Sequence, residues 1–492
     1  MTETAVEPSS RRGTPNFRVT ALIVASAMIM EQLDATVLAT ALPSMAKDFA
    51  VSAPQMSVVL TSYLLSLALF IPASGWLADR FGARLIFRLA IAIFTVGSVL
   101  CGQSPSLSFL VFSRLLQGFG GAMMVPVGRL VLLRTTAKSD YVSAMSWMLV
   151  PALIGPIIGP PLGGFIVSYL DWRWIFYINV PIGALGIALV TLFIEDVREE
   201  AVERFDFVGL VFSGISLGCL LFGFETASHS GEGRLAALLI ACGVVFGLFY
   251  LHHAKVAEAP ILDLSLMKIR TFGLSVIGGS LTRITQGALP FLLPLMMQIG
   301  FGLSALESGL ITFATAIGSL AMKAAAAGIL RRFGFRNVLI VNGVLGAGSY
   351  AICAAFRPYW PEWAIYAVLI VSGFFMSLQF TAYNIVAYDE IPRPRMSSAT
   401  SFYTTFQQLM LSLGICVAAL TLHGSMLMAG RGHAALGDFS VAFLVVTAVS
   451  LSATWWNAKL PPEAGSDMSG HKAIRRPPAN EKAVRRGQIR PV

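Results

Sequence analysis

At 492 residues, 56% of them hydrophobic and only 12% charged, the chain has too few polar side chains to coat a soluble globular protein. Its formal charge of +9 is spread over short loops and the C-terminal tail, which assigns it to membrane topology rather than nucleic-acid binding. The five cysteines stand singly in apolar segments and the six histidines lie near span ends, in loops or in the tail, so their spacing indicates neither a disulfide framework nor a metal site.

The N-terminus is polar through about Asn16, and the first apolar segment carries Glu31 and Asp34, which reads as a retained span rather than a cleaved signal. Apolar runs near twenty residues long then recur. They predict about fourteen helices, roughly over 19–43, 56–77, 85–102, 107–133, 142–168, 174–194, 207–227, 235–252, 272–298, 305–328, 336–356, 363–388, 398–422 and 439–457. With the N-terminus in the cytoplasm, the basic loops (Arg80/Arg84, Arg134/Lys138, Arg198/Arg204, Lys268/Arg270, Arg331/Arg332/Arg336, Arg393/Arg395) all fall on that side. The reading is an all-α integral membrane protein with both termini cytoplasmic, in segments 1–18 (terminal), 19–194 (six helices), 205–252 (an added pair), 272–457 (six helices) and 458–492 (basic tail).

In the first span, MEQLDATVLATALP places Glu31 and Asp34 on one helix face, with Glu31 near the bilayer midplane. An ionisable group at that depth is costly unless it faces a cavity or a partner, which makes both functional candidates. Between spans two and three, GWLADRFGARLIFR packs Asp79, Arg80, Arg84 and Arg88 around Gly82, and GILRRFGFRN echoes it about 250 residues later. A charged hairpin repeated once per half signals an internal duplication, the architecture with which transporters build a site open alternately to either side.

Span four reads FSRLLQGFGGAMMVPVGRL, with Arg114, Gln117, Gly118 and Gly121 at helical spacing. Span five reads GPIIGPPLGGFI, with Gly155, Gly159 and Gly163 forming a close-packing stripe interrupted by Pro156, Pro160 and Pro161. Further cations lie inside apolar stretches: Arg129, Arg283 (next to Gln286) and Lys323. Arg129 and Lys323 either line a cavity or snorkel to the interface. Gln379, Tyr383, Asn384, Gln407 and Gln408 either line the same cavity or tie helices together.

The hairpin Gly75–Asp79–Arg80–Gly82–Arg84 resembles the loop between spans two and three of the major facilitator superfamily. LDATVLATALP and DWRWIFYINVPIG are similar to signatures of its fourteen-span drug:proton antiporter branch, and the contexts of Arg129, Arg283 and Lys323 resemble the MdtD-type multidrug-resistance subgroup. The resemblance implies two six-helix halves with two inserted central helices. It also implies that Arg114 takes part in proton transfer and that Gly159–Pro160–Gly163–Gly164 marks an exporter. An arginine stays charged at physiological pH, so Arg114 acts on a carboxylate rather than carrying the proton.

The expected function is proton-coupled efflux of small organic molecules. Asp34, Glu31 and Arg114 serve coupling, and Arg283, Gln286, Arg129, Lys323, Gln379, Tyr383, Asn384 and Gln407 the substrate cavity. The proton gradient is the energy source, with no cofactor, and the protein works as a monomer in a bacterial cytoplasmic membrane. Export of organic anions is the nearer alternative; a receptor or scaffold that does not transport is the more distant one. The chain carries no phosphate-binding GxxxxGK[ST] and no HExxH, which leaves no case for an ATP-driven pump or an enzyme.

Overall fold

The computed structural model describes residues 17–136, 143–144, 147–148, 154–194, 205–227, 233–258, 260–392 and 395–471. Among them the chain is helical, with no strand. Fourteen long helices follow in order: α1 Phe17–Asp48, α2 Ser57–Phe81, α3 Ala83–Gly102, α4 Leu107–Thr135, α5 Ile154–Tyr169, α6 Asn179–Phe193, α7 Phe207–Ala227, α8 Gly233–Val256, α9 Arg270–Leu295, α10 Ala305–Phe333, α11 Phe335–Cys353, α12 Glu362–Val386, α13 Met396–Met428 and α14 Leu436–Asn457. Eleven are long and apolar enough to cross a membrane, α6 when the preceding turn from Trp174 is counted with it. The other three are α5, which is short, and α9 and α11, which polar residues such as Arg283 and Asn342 interrupt. The expected start of α5 near 142, the loop cations Lys138, Arg198, Arg204 and Arg393, and the basic tail beyond 471 lie outside the described residues.

The duplication is visible in the backbone. Gly82 and Gly334 break α2 from α3 and α10 from α11, with φ of 96° and 72°, a region open to glycine and strained for other residues. The numbering shift that carries Gly82 onto Gly334 lays α1 on α9 and α2 on α10. It also lays Glu31 on Arg283 and Asp34 on Gln286. Across the two halves α2 packs on α13 and α5 on α10, two contacts that the duplication interchanges. The inserted α7 and α8 pack chiefly on each other, and α7 also touches α2 and α13.

Lipid tails are as apolar as leucine, so close packing rather than escape from water decides which helix faces meet. At the end remote from the termini, one apolar cluster runs through both halves, joining Leu42, Met45, Trp172 and Phe176 to Phe291, Met297, Phe356 and Phe439. Hydrogen bonds cross between the halves there, from Gln298 Nε2 to Thr40 O (3.0 Å) and from Leu306 N to Ser168 Oγ (3.1 Å). At the end bearing the termini the core divides. Val24, Phe87 and Leu132 belong to a cluster of the first half, and Phe272, Phe335 and Phe402 to a separate one of the second. The apolar core is thus continuous across the halves at the far end and divided between them at the terminal end.

Candidate substrate and proton site

Asp34, in the middle of α1, is 2% exposed, and Arg114 on α4 is wholly buried. Arg114 Nη1 lies 2.5 Å from Asp34 Oδ2. The same nitrogen donates to Gln117 Oε1 (2.6 Å), Arg114 Nε donates to Val59 O (3.2 Å), and the guanidinium sits 4.2 Å from the centre of the Tyr63 ring. Gln117 Nε2 donates to Asp34 Oδ1 (2.8 Å) and to Ser98 Oγ (2.6 Å). Asn179 Nδ2 reaches the same carboxylate oxygen (3.3 Å) and the same hydroxyl (3.1 Å). Five helices (α1, α2, α3, α4 and α6) thus meet in one network around a carboxylate whose charge is matched and which accepts three hydrogen bonds, the condition under which a buried ion pair persists. Ser98, Asn179 and Tyr63 go unmarked in the sequence. Asn179 lies in the INVPIG string, which stands in the sequence as part of a signature with no residue singled out, and a lone serine or tyrosine in an apolar helix carries no distinguishing signal.

Glu31, one turn before Asp34, is also buried, and its Oε2 has no hydrogen-bond partner. Among the described residues the site therefore holds one carboxylate locked to an arginine and a second without a salt bridge.

Small residues bring these helices together. A Cβ on Gly118 would lie 2.6 Å from Ser66 Cβ of α2, where Ser66 Oγ donates to Leu115 O (2.7 Å). On α5, Gly155, Gly159 and Gly163 lie against Gln32, Thr36 and Thr40 of α1, so the predicted stripe is the seam along the helix that carries both acids. Gly164 faces the other half, at Ala305 O of α10.

The opposite wall is built differently. Arg283 on α9 is 4% exposed, with its guanidinium 4.6 Å from the Phe380 ring centre and 5.9 Å from that of Tyr403. Neither it, Arg129 nor Lys323 is in a salt bridge among the described residues. Lys323 Nζ lies 3.2 Å from Thr381 Oγ1 and lines a cavity of ≈ 190 Å³ with Thr36, Pro156, Leu289 and Met376. Arg129 is exposed on α4.

Two expected cavity residues turn elsewhere. Gln379 is bonded to Asn342 (2.6 Å) and Leu339 O (3.2 Å) of α11, and Tyr383 Oη donates to Asn457 Oδ1 (2.7 Å) at the end of α14. Both tie α12 to its neighbours instead of facing the cavity. Gln286 Nε2 donates to Met376 O (3.3 Å), and Gln407 to Asn384 Oδ1 (2.8 Å), both in part-buried positions.

At the repeated hairpin, Asp79 accepts from Arg134 at the end of α4 (2.7 Å), a partner on its own half. Arg84 donates to Thr191 O of α6, while Gly75 and Arg80 are exposed.

Residues 24–415 match the family model described as Major Facilitator Superfamily. The chain is 39% identical over 401 residues to the "Putative multidrug resistance protein MdtD" of Pectobacterium atrosepticum, covering 81% of this chain and 86% of that protein. It is 38% identical over 402 residues to the protein of the same name from Escherichia coli O6:H1, covering 81% and 85%. Among solved structures it resembles a D-xylose–proton symporter (TM-score 0.65, 14% identity, 91% of this chain and 98% of that one). It also resembles the nucleoside transporter NupG (TM-score 0.60, 16% identity, 90% and 98%). At that identity these two structures speak to the fold alone.

Proposed function

The chain belongs to the Major Facilitator Superfamily, and we propose that it exports small organic molecules across a bacterial cytoplasmic membrane in exchange for protons. As a member of that family with many spans, it is a multi-pass membrane transporter of small molecules and not an enzyme. The proton-coupled outward direction rests on one observation above all: the sealed Asp34–Arg114 pair in a molecule whose apolar core divides at its terminal end. We take that end as cytoplasmic because Arg80, Arg84, Lys268, Arg270, Arg331, Arg332 and Arg336 gather there.

In this state Asp34 is ionised and held by Arg114. Rearrangement toward the outward-open form separates the two, leaving a carboxylate in low dielectric that takes a proton from outside. Return to the inward-open form restores the pair and expels the proton into the cytoplasm. One charge carried inward across 100 mV supplies about 2.3 kcal/mol, before any pH gradient, to drive substrate outward. Glu31 is the second acid in this scheme, and the residues 19–194 and 272–457 are the two moving bodies, within a single monomer.

The relatives named for multidrug resistance favour drug-sized substrates. The unpaired Arg283, Lys323 and Arg129 favour a second reading in which those substrates are organic anions.

Reconstitution of wild type and Asp34→Asn in vesicles with an imposed pH gradient is the test. Wild type accumulates a dye substrate against its gradient, and Asp34→Asn, which cannot release a proton, does not. Uphill accumulation by Asp34→Asn removes the coupling role from this residue and transfers it to Glu31.

A further inference from the structure

A second cavity, of about 560 Å³, lies far from the acids, at the terminal end where α9 and α11 begin and α14 ends. Arg270, Arg336 and Lys459 line it, and Glu463 is the one acidic side chain among its walls, which leaves an excess of two positive charges. Main-chain carbonyls hold two of the cations in place: Arg270 Nη2 donates to Lys459 O (3.1 Å), and Arg336 Nη2 to Ala458 O (2.9 Å). Arg336 Nε–H is buried with no acceptor among the described residues. Lys459 Nζ makes no hydrogen bond or ion pair among the described residues and lies 3.3 Å from the ring centre of Trp455 and 4.4 Å from that of Trp456.

The remaining walls are apolar, with Leu274 and Ile277 on α9 and Met267 before it. Trp455 is 62% exposed, and the outer faces of α11 and α14 beside it show Val341, Leu345 and Leu451. These are surfaces for lipid, and a tryptophan pair at a helix end is the mark of the headgroup level. The cavity thus sets fixed cations and an unsatisfied donor above an apolar floor, at the depth where a phospholipid carries its phosphate.

The other half gives a contrast. The shift that carries Gly82 onto Gly334 carries Arg84 onto Arg336 and Arg18 onto Arg270. Arg84 makes the same kind of carbonyl bond, to Thr191 O, whereas Arg18 is covered by an indole of the chain itself, Trp147, at 5.7 Å. In the second half the cavity lined by Arg270, Arg336 and Lys459 lies at the corresponding place.

We infer that the α9–α11–α14 cavity binds the phosphate headgroup of an anionic phospholipid, with Arg270, Arg336 and Lys459 as its ligands. A free phosphate has the same chemistry but no use for the apolar floor or the exposed tryptophan. The site is independent of the transport cycle proposed above, and its test reads binding rather than transport.

Delipidated full-length protein in neutral detergent is titrated with phosphatidylglycerol, with phosphatidylcholine and with inorganic phosphate while Tm is followed. Phosphatidylglycerol raises Tm saturably, and the other two leave it unmoved. Arg270→Gln and Lys459→Gln each raise the half-saturating lipid concentration about fivefold, the effect of one basic charge at an anionic lipid surface. Arg270→Lys keeps the response, which separates charge from the lost bond to Lys459 O. Lys459→Gln removes no hydrogen bond, so it remains informative if Arg270→Gln fails to fold. Lys268→Gln and Arg332→Gln, basic positions of the same end outside the cavity, leave the titration unchanged. Three results overturn the inference: equal weakening by those two controls, an unaltered titration in Lys459→Gln, or inorganic phosphate reproducing the shift by itself.

Discussion

The two halves share a fold and differ in the kind of charge they bury. In the first, α1, α4 and α6 hold a carboxylate, an arginine and two amides in one sealed network, with a second carboxylate a turn away. In the second, the positions that correspond to Glu31 and Asp34 are Arg283 and Gln286, and the buried polar network joins Gln379, Asn342, Tyr383 and Asn457, none of them a carboxylate. Duplication fixed the helix packing while the chemistry of the walls diverged. One wall can change its charge with pH, and the other carries a charge that no physiological pH removes.

The largest effect is expected from breaking the first wall's pair. Arg114→Ala leaves Asp34 buried without its cation, which costs about 3–5 kcal/mol. Asp34→Asn in the same molecule removes the stranded charge and recovers much of that loss. Thermal unfolding in detergent of the two single variants and the double measures the coupling. Additive losses would mean that the pair is not the centre of the first half.

Next comes the α1–α5 seam. Both halves use glycine at the equivalent contact, since Gly414 of α13 abuts Ile284 O of α9, but only α5 has three glycines in register along the acid-bearing helix. Gly159→Val drives a side chain into Thr36 and costs about 1–3 kcal/mol. Thr36→Ala restores part of it, as unfolding of the double variant will register. No recovery would show that the valine acts elsewhere than on this seam.

The first wall is more legible in the sequence than the second, for a physical reason. Asp34, Arg114 and Gln117 announce themselves because ionisable and amide groups are rare in apolar spans, and the glycines because their four-residue spacing lies on one face. The partners that complete the network, Ser98 and Asn179, are neutral and solitary, so only the folded helices reveal them. Gln379 and Tyr383 illustrate the converse. Their helix is apolar around most of its circumference, so the sequence marks the polar residues without specifying which neighbour they turn toward. That the core is continuous at the far end is a property of how the halves meet, and no local pattern encodes it.

The second wall's charge should appear in selectivity rather than stability. Arg283 is held by two aromatic rings and no carboxylate, so Arg283→Gln removes an uncompensated buried cation. Export of anionic substrates should fall about tenfold while that of cationic ones holds or improves, since about 1.4 kcal/mol of lost attraction is a factor of ten. Transport of matched anionic and cationic dyes by the reconstituted variant decides it. Equal loss for both would make Arg283 a structural residue and erase the contrast between the walls.

The smallest effect belongs to the repeated hairpin, where the halves are most alike in backbone and differ at one acid. Asp79 pairs with Arg134, whereas the corresponding Arg331 is exposed and offers its carbonyl to His471 Nδ1 (2.9 Å). Both partners at Asp79 are partly exposed, 33% and 17% at their side chains, and a pair in such surroundings is worth about 0–1 kcal/mol. Asp79→Asn should therefore leave the unfolding temperature nearly unchanged. Its consequence is kinetic. In this state Asp79 is occupied within its own half, and we propose that it changes partner and latches the terminal end when the halves meet there. Losing up to about 1 kcal/mol from one of two exchanging states slows turnover about two- to fivefold. Arg331→Gln, the same position in the other half, should leave turnover as it was. Stopped-flow turnover of the two variants in vesicles separates the cases. Equal slowing by both would make the hairpin a topology signal in each half, with Asp79 no more than one charge among its arginines.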